Sequence, residues 1–190
     1  MAFLRRILPR RQWAWLAAAW ALPLAAGAPA AAQSARWSAQ EYQLKAAFLY
    51  NFAKFVEWPN HTADPKAPIV IVVFGRDPFG PALENTVWGK TINNRPLVVR
   101  HTSRVQDVLP CHMLFLSAQE EPRAEEVLQA VEGAGVLTVS ETDDFLEQGG
   151  AVRFVMDGNK VRFEINLGAA RRGGLNISSR LLSLARTVKN

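Results

Sequence analysis

The chain has 190 residues, of which 49% are hydrophobic, and a formal net charge of +5. This length fits one domain that buries a sizeable core, and Cys111 as the only cysteine excludes an internal disulfide. Four arginines of the first 32 residues account for most of the excess charge, so the remainder is nearly neutral. It shows no basic stripe, and we expect no nucleic-acid partner.

The first 32 residues have the three parts of a secretory signal peptide. A basic segment with Arg5, Arg6, Arg10 and Arg11 precedes an apolar run over residues 13–22, and three alanines precede Gln33. A membrane anchor is the alternative, but the apolar run is too short to span a bilayer. We therefore predict a cleaved signal peptide over residues 1–32, a periplasmic location, and a single domain over residues 33–190.

An apolar helix is predicted from residue 39 to Pro59. Ser38 has the spacing of an N-cap with Glu41, and Trp58 before Pro59 is expected to end the helix. Most of its circumference is apolar, which is typical of a core helix. The alternative is that its polar side borders a partner surface or a dimer seam, formed by Tyr50, Asn51, Lys54 and Trp58.

Strands and short helices alternate through the next hundred residues. The predicted strands are residues 69–74, 97–99, 112–116 and 136–139, and the predicted short helices lie near residues 79–84, 105–109, 122–131 and 143–147. Continuous β-branched runs such as residues 69–74 are typical of parallel strands that are covered on both faces. This alternation predicts helices on both sides of a mostly parallel sheet.

The pattern changes near the C-terminus. Alternating runs on either side of Asp157-Gly158 predict a β-hairpin, and helices are expected at residues 167–172 and 178–188. The predicted fold is thus an α/β, three-layer αβα sandwich with a mixed, mostly parallel sheet and a C-terminal β-hairpin plus helices.

Residues in catalytic or metal-binding spacing are not apparent in the sequence. The strand exit GRDPFG does not match the dinucleotide fingerprint, and no GxSxG motif is present. Cys111 and His112 are adjacent but lack partners at metal-ligand spacing. We therefore expect a protein that is not an enzyme and carries no metal or cofactor.

The last strand of the hairpin alternates strictly, so Arg162, Glu164 and Asn166 share one face while Val161, Phe163 and Ile165 share the other. One interpretation is a solvated face with a cross-strand charge pair. The other is a polar recognition surface. Its predicted members are Arg153, Arg162, Glu164, Asn166, Arg171, Arg172 and Arg180.

Three motifs resemble the YfiR family of periplasmic proteins. They are EYQLKAAFLYNFAKFVEWP, PCHMLFLS and VRFEINLGAARRGGLNISSRLLSLARTV, which together extend from Glu41 to Val188. The resemblance implies a periplasmic α/β protein, usually dimeric and without enzymatic activity. It also implies repression of an inner-membrane diguanylate cyclase through the periplasmic sensory domain of that enzyme, which lowers cyclic di-GMP and biofilm formation.

The resemblance implicates the C-terminal surface in partner contact, with Glu164 at its centre. Phe48, Asn51, Lys54 and Trp58 match the first motif, and Arg162, Glu164, Asn166, Arg171, Ser178 and Arg180 match the last. An outer-membrane lipoprotein that sequesters the repressor is a further implied partner. Redox control by internal disulfides, a property of the family, requires paired cysteines and is not expected here. The alternative function is a small-ligand-binding module that feeds an envelope sensor histidine kinase.

Overall fold

The computed structural model describes residues 30–59 and 66–190, with side chains from residue 36 onward. The predicted signal peptide lies outside the described residues except for its last three positions. Within the described ranges, the helices are α1 Ala30–Phe55, α2 Pro81–Val87, α3 Ala124–Ala130, α4 Leu167–Arg172 and α5 Ser179–Leu182. Short 3-10 turns cover Val105–Asp107 and Ala118–Arg123.

The strands form one large mixed sheet and one small pair. They are β1 Val56–Glu57, β2 Ile69–Phe74, β3 Thr91–Ile92, β4 Arg95–Thr102, β5 Met113–Leu116, β6 Leu137–Ser140, β7 Val152–Asp157, β8 Lys160–Asn166, β9 Asn176–Ile177 and β10 Thr187–Lys189. The large sheet has the order β10-β8-β7-β6-β5-β2-β4-β3, and β1 pairs with β9. Its pairs are parallel except for β7–β8 and β3–β4, which confirms the predicted mixed, mostly parallel sheet.

Two hydrophobic clusters lie on opposite faces of this sheet. Ile71 and Val73 of β2 point towards α1, α2, α4 and α5, whereas Val72 and Phe74 point towards α3 and the turns around Phe145. Because both faces are covered, β2 is apolar at every position rather than alternating. The predicted three-layer α/β sandwich is confirmed.

Helix α1 is the principal element of the first layer. Its buried positions recur at helical spacing: Lys45, Ala46, Leu49, Phe52 and Ala53. Phe52 packs against the rings of Phe154 and Phe163 at centroid distances of 5.8 and 5.0 Å. The predicted N-cap is wrong, because Ser38 lies inside α1, which begins at Ala30 within the described residues, and the helix ends at Phe55 rather than at Trp58.

The hairpin of β7 and β8 agrees with the sequence prediction, and a second hairpin joins β3 to β4. Asp157 pairs with Lys160 across a two-residue turn in which Gly158 has φ 58°. Asn93 and Asn94 both have positive φ between β3 and β4, a conformation that asparagine tolerates in such turns.

The predicted helices over residues 143–147 and 178–188 are wrong. Residues 143–149 form successive turns, and the last helix stops at Leu182. Thr187–Lys189 instead pairs in parallel with β8. The free edge of β8 offers hydrogen-bond partners to this segment, and a threonine–valine pair suits a strand.

None of the helices in residues 30–59 and 66–190 is both long and apolar enough to cross a lipid bilayer.

Candidate functional site

The carboxyl ends of the central parallel strands lie along one side of the sheet, which we call the carboxyl edge, and their amino ends lie along the opposite side, the amino edge. Helix α1 extends between these two edges. Its Lys45 contacts Glu141, which follows β6, whereas Trp58 beyond its end donates a hydrogen bond to the carbonyl oxygen of His112, which precedes β5. The helix therefore runs from the carboxyl edge of the strands to their amino edge.

A buried ion cluster ties α1 to the carboxyl edge. Lys45 is only 3% exposed and forms ion pairs with Glu41, one turn earlier, and with Glu141. The Tyr42 hydroxyl donates to Glu141 at 2.9 Å. Burial and the neighbouring Glu141 charge raise the pKa of Tyr42 well above its usual range. Sequence reasoning missed this cluster, because the carboxylate that balances Lys45 is nearly a hundred residues away.

Glu164 is not the exposed centre of a recognition face. It is 6% exposed and accepts a hydrogen bond from the Arg153 guanidinium at 2.6 Å, with the Arg186 Nε at 3.7 Å. The correction has a clear physical reason. The Arg186 backbone N–H donates to the Phe163 carbonyl as the chain enters β10, which brings Arg186 beside Glu164. The predicted alternative, a cross-strand charge pair, describes Arg153 and Glu164 correctly, although the pair is buried rather than solvated.

Both ion clusters line one cleft of about 410 Å³. Its lining residues are Glu41, Tyr42, Lys45, Glu141, Asp143, Arg153, Phe154, Val155, Met156 and Arg186. Opposite charges pair within it, and Arg153 also contacts the Asp143 backbone carbonyl. Most of these charges are paired with one another. The ion pairs therefore stabilise the packing of α1 against the strands, and few unpaired charges remain for a partner to contact.

The other predicted surface residues are in different settings. Asn166 accepts a hydrogen bond from the Ala169 backbone N–H at 2.9 Å, which caps α4, and donates to the Leu146 carbonyl at 3.0 Å. It is therefore a structural residue rather than an adaptable contact. Arg162 and Arg171 are exposed, as predicted.

At the amino edge, the structure joins residues from the two surfaces that the sequence predicts separately. The Nζ of Lys54 lies 5.7 Å and the Cζ of Arg180 5.6 Å from the centroid of the half-buried Phe55 ring. Beside them, the exposed Asn176 donates a hydrogen bond to Glu57 at 2.9 Å. We call these five residues the Phe55 patch.

Local structure holds the Phe55 patch in place. Strand β1 continues directly from α1 and pairs with β9, opposing Val56 to Ile177. The Ser178 N–H donates to the Phe55 carbonyl at 3.0 Å, and the Ser178 hydroxyl caps α5 by accepting from Leu181 N–H. The patch is thus built on the ends of packed elements, which favours a defined shape.

The remaining residues of the predicted α1 surface are partly used inside the domain. The Trp58 indole donates to the His112 carbonyl at 2.7 Å and packs edge-on against the His112 ring. Tyr50 is half-buried beneath the Lys90 ammonium, which lies 4.3 Å from its ring centroid, and Asn51 is also half-buried.

The carboxyl edge also has an open crevice. The chain goes from β2 to β4 on one side and then crosses to β5 on the other, so the direction of winding changes between β2 and β5. Open α/β sheets bind ligands at such a switch point. A crevice of about 710 Å³ opens there, lined by Ser38, Ala39, Tyr42, Gln43, Arg76, Asp77, Pro78, Phe79, Gly80, Pro81, Ala82, Asn85 and Gln119. We call it the switch-point crevice.

Next to this crevice, three metal-ligating side chains converge. The His101 Nε2 lies 3.6 Å from an Asp77 carboxylate oxygen and 3.4 Å from a Glu84 carboxylate oxygen. Sequence reasoning missed this cluster, because its members lie in three separate segments of the chain without a motif spacing. Only the order of the strands brings them together.

The cysteine and histidine that sequence reasoning did consider are engaged elsewhere. Cys111 is 7% exposed, and burial raises the pKa of its thiol to about 12. The apolar strand Met113–Leu116 that follows Cys111 in the chain accounts for this burial. The His112 ring lies between the Val70 N–H, at 3.2 Å, and the Arg95 guanidinium, at 2.7 Å.

Comparison with known families gives the evolutionary context of these features. A sequence model for a family described as YfiR/HmsC-like matches residues 42–186, which is most of the chain. The chain belongs to the YfiR/HmsC-like family. This confirms the resemblance noted in the sequence. The YfiR/HmsC-like family is periplasmic, and its members are regulatory rather than catalytic.

Two solved structures are similar to this chain. A conserved domain protein from Vibrio cholerae O1 biovar El Tor is 12% identical, with a TM-score of 0.53 over 78% of this chain and 60% of that one. A structure from Streptococcus pneumonia, described as an ABC domain in complex with L-Trp, is 10% identical, with a TM-score of 0.46 over 64% and 55% of the two chains. The chain thus spans less than two thirds of the length of these proteins. The Vibrio cholerae structure shows a shared fold and nothing further.

Proposed function

We propose that this YfiR/HmsC-like protein is an exported regulator that represses an inner-membrane diguanylate cyclase by binding the periplasmic sensory domain of that enzyme. Repression lowers cyclic di-GMP and biofilm formation. A signal peptide directs export and is cleaved near Gln33, and the exported chain is a homodimer. An outer-membrane lipoprotein that sequesters the repressor belongs to the same proposal.

The observation that carries the proposal, beyond family membership, is the Phe55 patch. Lys54 and Arg180 are exposed, and both stack on one aromatic ring. Aromatic and arginine side chains are enriched at protein interfaces, where they contribute much of the binding energy. We therefore move the centre of partner contact from Glu164 to this patch, with Arg171 as an outlying positive charge. Arg162 lies opposite Val155, near the hairpin at the other edge, and is left out of the contact surface. Its net positive charge fits an acidic surface on the sensory domain.

The test combines binding with signalling. Purified exported chain is titrated against the periplasmic domain of a diguanylate cyclase encoded beside its gene. Lys54→Glu and Arg180→Glu should each weaken binding by about tenfold or more, through like-charge juxtaposition at the interface. In cells, both variants should fail to lower cyclic di-GMP although they are exported and folded.

A matched control is Lys160→Glu, which makes the same charge change at the exposed hairpin of the opposite edge. It should bind like the wild type. Equal binding by all three variants would remove the Phe55 patch from the interface. Deletion of the gene without any rise in cyclic di-GMP would refute the repressor function itself.

A second candidate function rests on the switch-point crevice. Its position at the change of winding and its polar lining suit a small ligand, and a sensor histidine kinase would then receive the signal. The two functions differ in their output. A kinase-coupled protein would change the phosphorylation of a response regulator while leaving cyclic di-GMP unaltered.

A further inference from the structure

The geometry at the carboxyl edge points to a divalent-metal site formed by Asp77, Glu84 and His101, and we propose that it binds zinc. This inference goes beyond the regulatory function, which rests on the opposite edge of the sheet. The three ligand atoms, one from each side chain, all lie within 4.8 Å of one another.

The separations fit a metal better than they fit direct hydrogen bonds. The two distances from His101 Nε2, 3.6 and 3.4 Å, exceed the usual N–H···O range of about 2.7–3.2 Å. Zinc holds nitrogen and oxygen ligands at about 2.0–2.1 Å in a tetrahedron, whose edges are then roughly 3.3 Å. The two distances from the imidazole are therefore close to two edges of such a tetrahedron, and the separation of the two carboxylate oxygens is within 4.8 Å.

Packed elements fix the three ligands. His101 lies on β4 opposite Val73 of β2, and Asp77 follows the end of β2. The Phe79 backbone N–H donates to one Asp77 oxygen at 2.8 Å, while the other oxygen faces His101. Glu84 comes from α2, in the next layer. Ligands on rigid elements lower the ordering cost of metal binding.

A second observation concerns the Oε2 of Glu84, next to the Oε1 that lies nearest His101. Although the side chain is 44% exposed, this oxygen is shielded from solvent and has no hydrogen-bond partner in the described part of the chain. Such a group carries an uncompensated desolvation cost. With the neutral imidazole that a metal ligand must provide, the cluster has two negative charges. A divalent cation balances both.

The donor set selects the class of metal. Magnesium and calcium favour oxygen ligands alone, whereas zinc accepts imidazole together with carboxylates. Three protein ligands leave a fourth position open. Because Asp77 also lines the switch-point crevice, water from that crevice can fill it.

The experiment uses the exported chain, stripped with a chelator and titrated with zinc chloride by calorimetry, with magnesium chloride in parallel. We expect one equivalent of zinc to bind and to raise the melting temperature by several degrees, because a ligand that binds only the native state stabilises it. Magnesium should have little effect. Cobalt substitution should give the visible spectrum of a tetrahedral site.

The variants His101→Gln and Glu84→Gln should each weaken zinc binding by about tenfold or more and abolish the melting shift. The His101 side chain is 41% exposed, so its replacement should leave the metal-free melting temperature near that of the wild type. Glu132→Gln, at an exposed carboxylate outside the cluster, and Cys111→Ala should bind zinc normally.

Two results would overturn the site. One is zinc binding weaker than about millimolar, far from what a built three-ligand site provides. The other is binding that His101→Gln and Glu84→Gln leave unchanged while both proteins stay folded by circular dichroism. If either variant fails to fold, Asp77→Asn and the cobalt spectrum of the wild type decide in its place.

Discussion

For Glu164, the alternation of side chains along β8 predicts the correct face of the sheet but not the burial of the side chain. Alternation along β8 assigns it to the face opposite Phe163, and the structure agrees. Whether that face is covered depends on Arg153 from the neighbouring strand and on Arg186 from a distant segment. Buried ion pairs of this kind tolerate the loss of one partner poorly.

We predict that Glu164→Lys destabilises the protein. Placing a lysine between Arg153 and Arg186 leaves three cations together at a position where the native side chain is only 6% exposed. The free energy of unfolding should fall by about 3–5 kcal/mol, measured by urea denaturation. Arg162→Glu, an exposed charge reversal on the same strand, should change it by only about 0.5 kcal/mol. Equal effects of the two variants would show that the buried pair contributes nothing.

For single residues, the sequence predicts contacts and burial that depend on neighbouring positions in the chain. The pairing of Arg153 with Glu164 follows from the hairpin register, and the burial of Cys111 follows from the apolar run beside it. The ion pair between Lys45 and Glu141 does not, nor does the cluster of His101 with Asp77 and Glu84. Those contacts join elements that are distant in the chain, and no local period encodes them.

Cys111 leads to a prediction about alkaline stability. Burial raises its folded-state pKa to about 12, with the Arg100 charge opposing the shift, whereas a thiol in the unfolded chain has a pKa of about 8.5. Between these values the unfolded chain releases the proton first. The contribution of the Cys111 thiol to the free energy of unfolding is therefore complete below about pH 8.5, and it is lost as the pH rises towards 12.

From about pH 8 to pH 10, the unfolding free energy should fall by up to about 2 kcal/mol more in the wild type than in Cys111→Ala. Urea titrations of both proteins at the two pH values measure this difference. Tyr42 shifts in the same direction but is present in both proteins, so it cancels. Parallel pH profiles of the two proteins would contradict this prediction, because they would mean that the Cys111 thiol has the same pKa in the folded and unfolded states.

At the scale of the element, the ends of the domain differ most from the sequence prediction. The Ser38–Glu41 spacing suggests a helix start, but Glu41 pairs with Lys45 within a longer helix. Residues 183–189 have a helix-compatible pattern, yet the open edge of β8 recruits Thr187–Lys189 as a strand. In contrast, β2 and the β7–β8 hairpin are predicted well, because a continuous apolar run and an Asp-Gly turn are strong local signals.

We predict that β10 protects the edge of β8. Deletion of residues 187–190 should speed hydrogen exchange of backbone amides on that side of β8 by about tenfold or more, because their hydrogen-bond partners are removed. Amides of β2 and β5, in the middle of the sheet, should be unaffected. The shortened protein should also aggregate more readily through its open edge.

The matched control for this deletion is Lys189→Ala. It removes the ion pair between Lys189 and Glu147 while keeping the strand backbone. Its exchange pattern should match that of the wild type. Exchange that is equally slow in the deletion variant would show that β10 pairing is dispensable.

Across the whole molecule, the two edges of the sheet have different chemistry. The amino edge presents exposed cations on an aromatic ring, and the carboxyl edge holds the switch-point crevice, the metal-ligating cluster and the buried ion pairs. Helix α1 contacts both edges.

Helix α1 also carries the exposed apolar surface that a dimer would bury. Residues 36–40 are all exposed, and Trp37, Leu44 and Met156 are 62%, 49% and 47% exposed. With Val161 they line a groove of about 220 Å³. Adjacent apolar side chains of this size on a monomer mark an interaction surface. A second exposed leucine, Leu184, is 54% exposed in the C-terminal segment.

We predict that the wild type is a dimer at micromolar concentration and that Leu44→Glu makes it monomeric. Dimer formation would then bury a carboxylate without a partner in the groove of each copy. The desolvation cost of these two charges opposes association. Light scattering coupled to size-exclusion chromatography measures the mass, and circular dichroism should show an unchanged fold because Leu44 lies outside the core. Leu184→Glu, the same change at a similarly exposed leucine, should leave the dimer intact. Dissociation by Leu184→Glu alone would place the interface at the C-terminal segment, and a monomeric wild type would rule out the dimer.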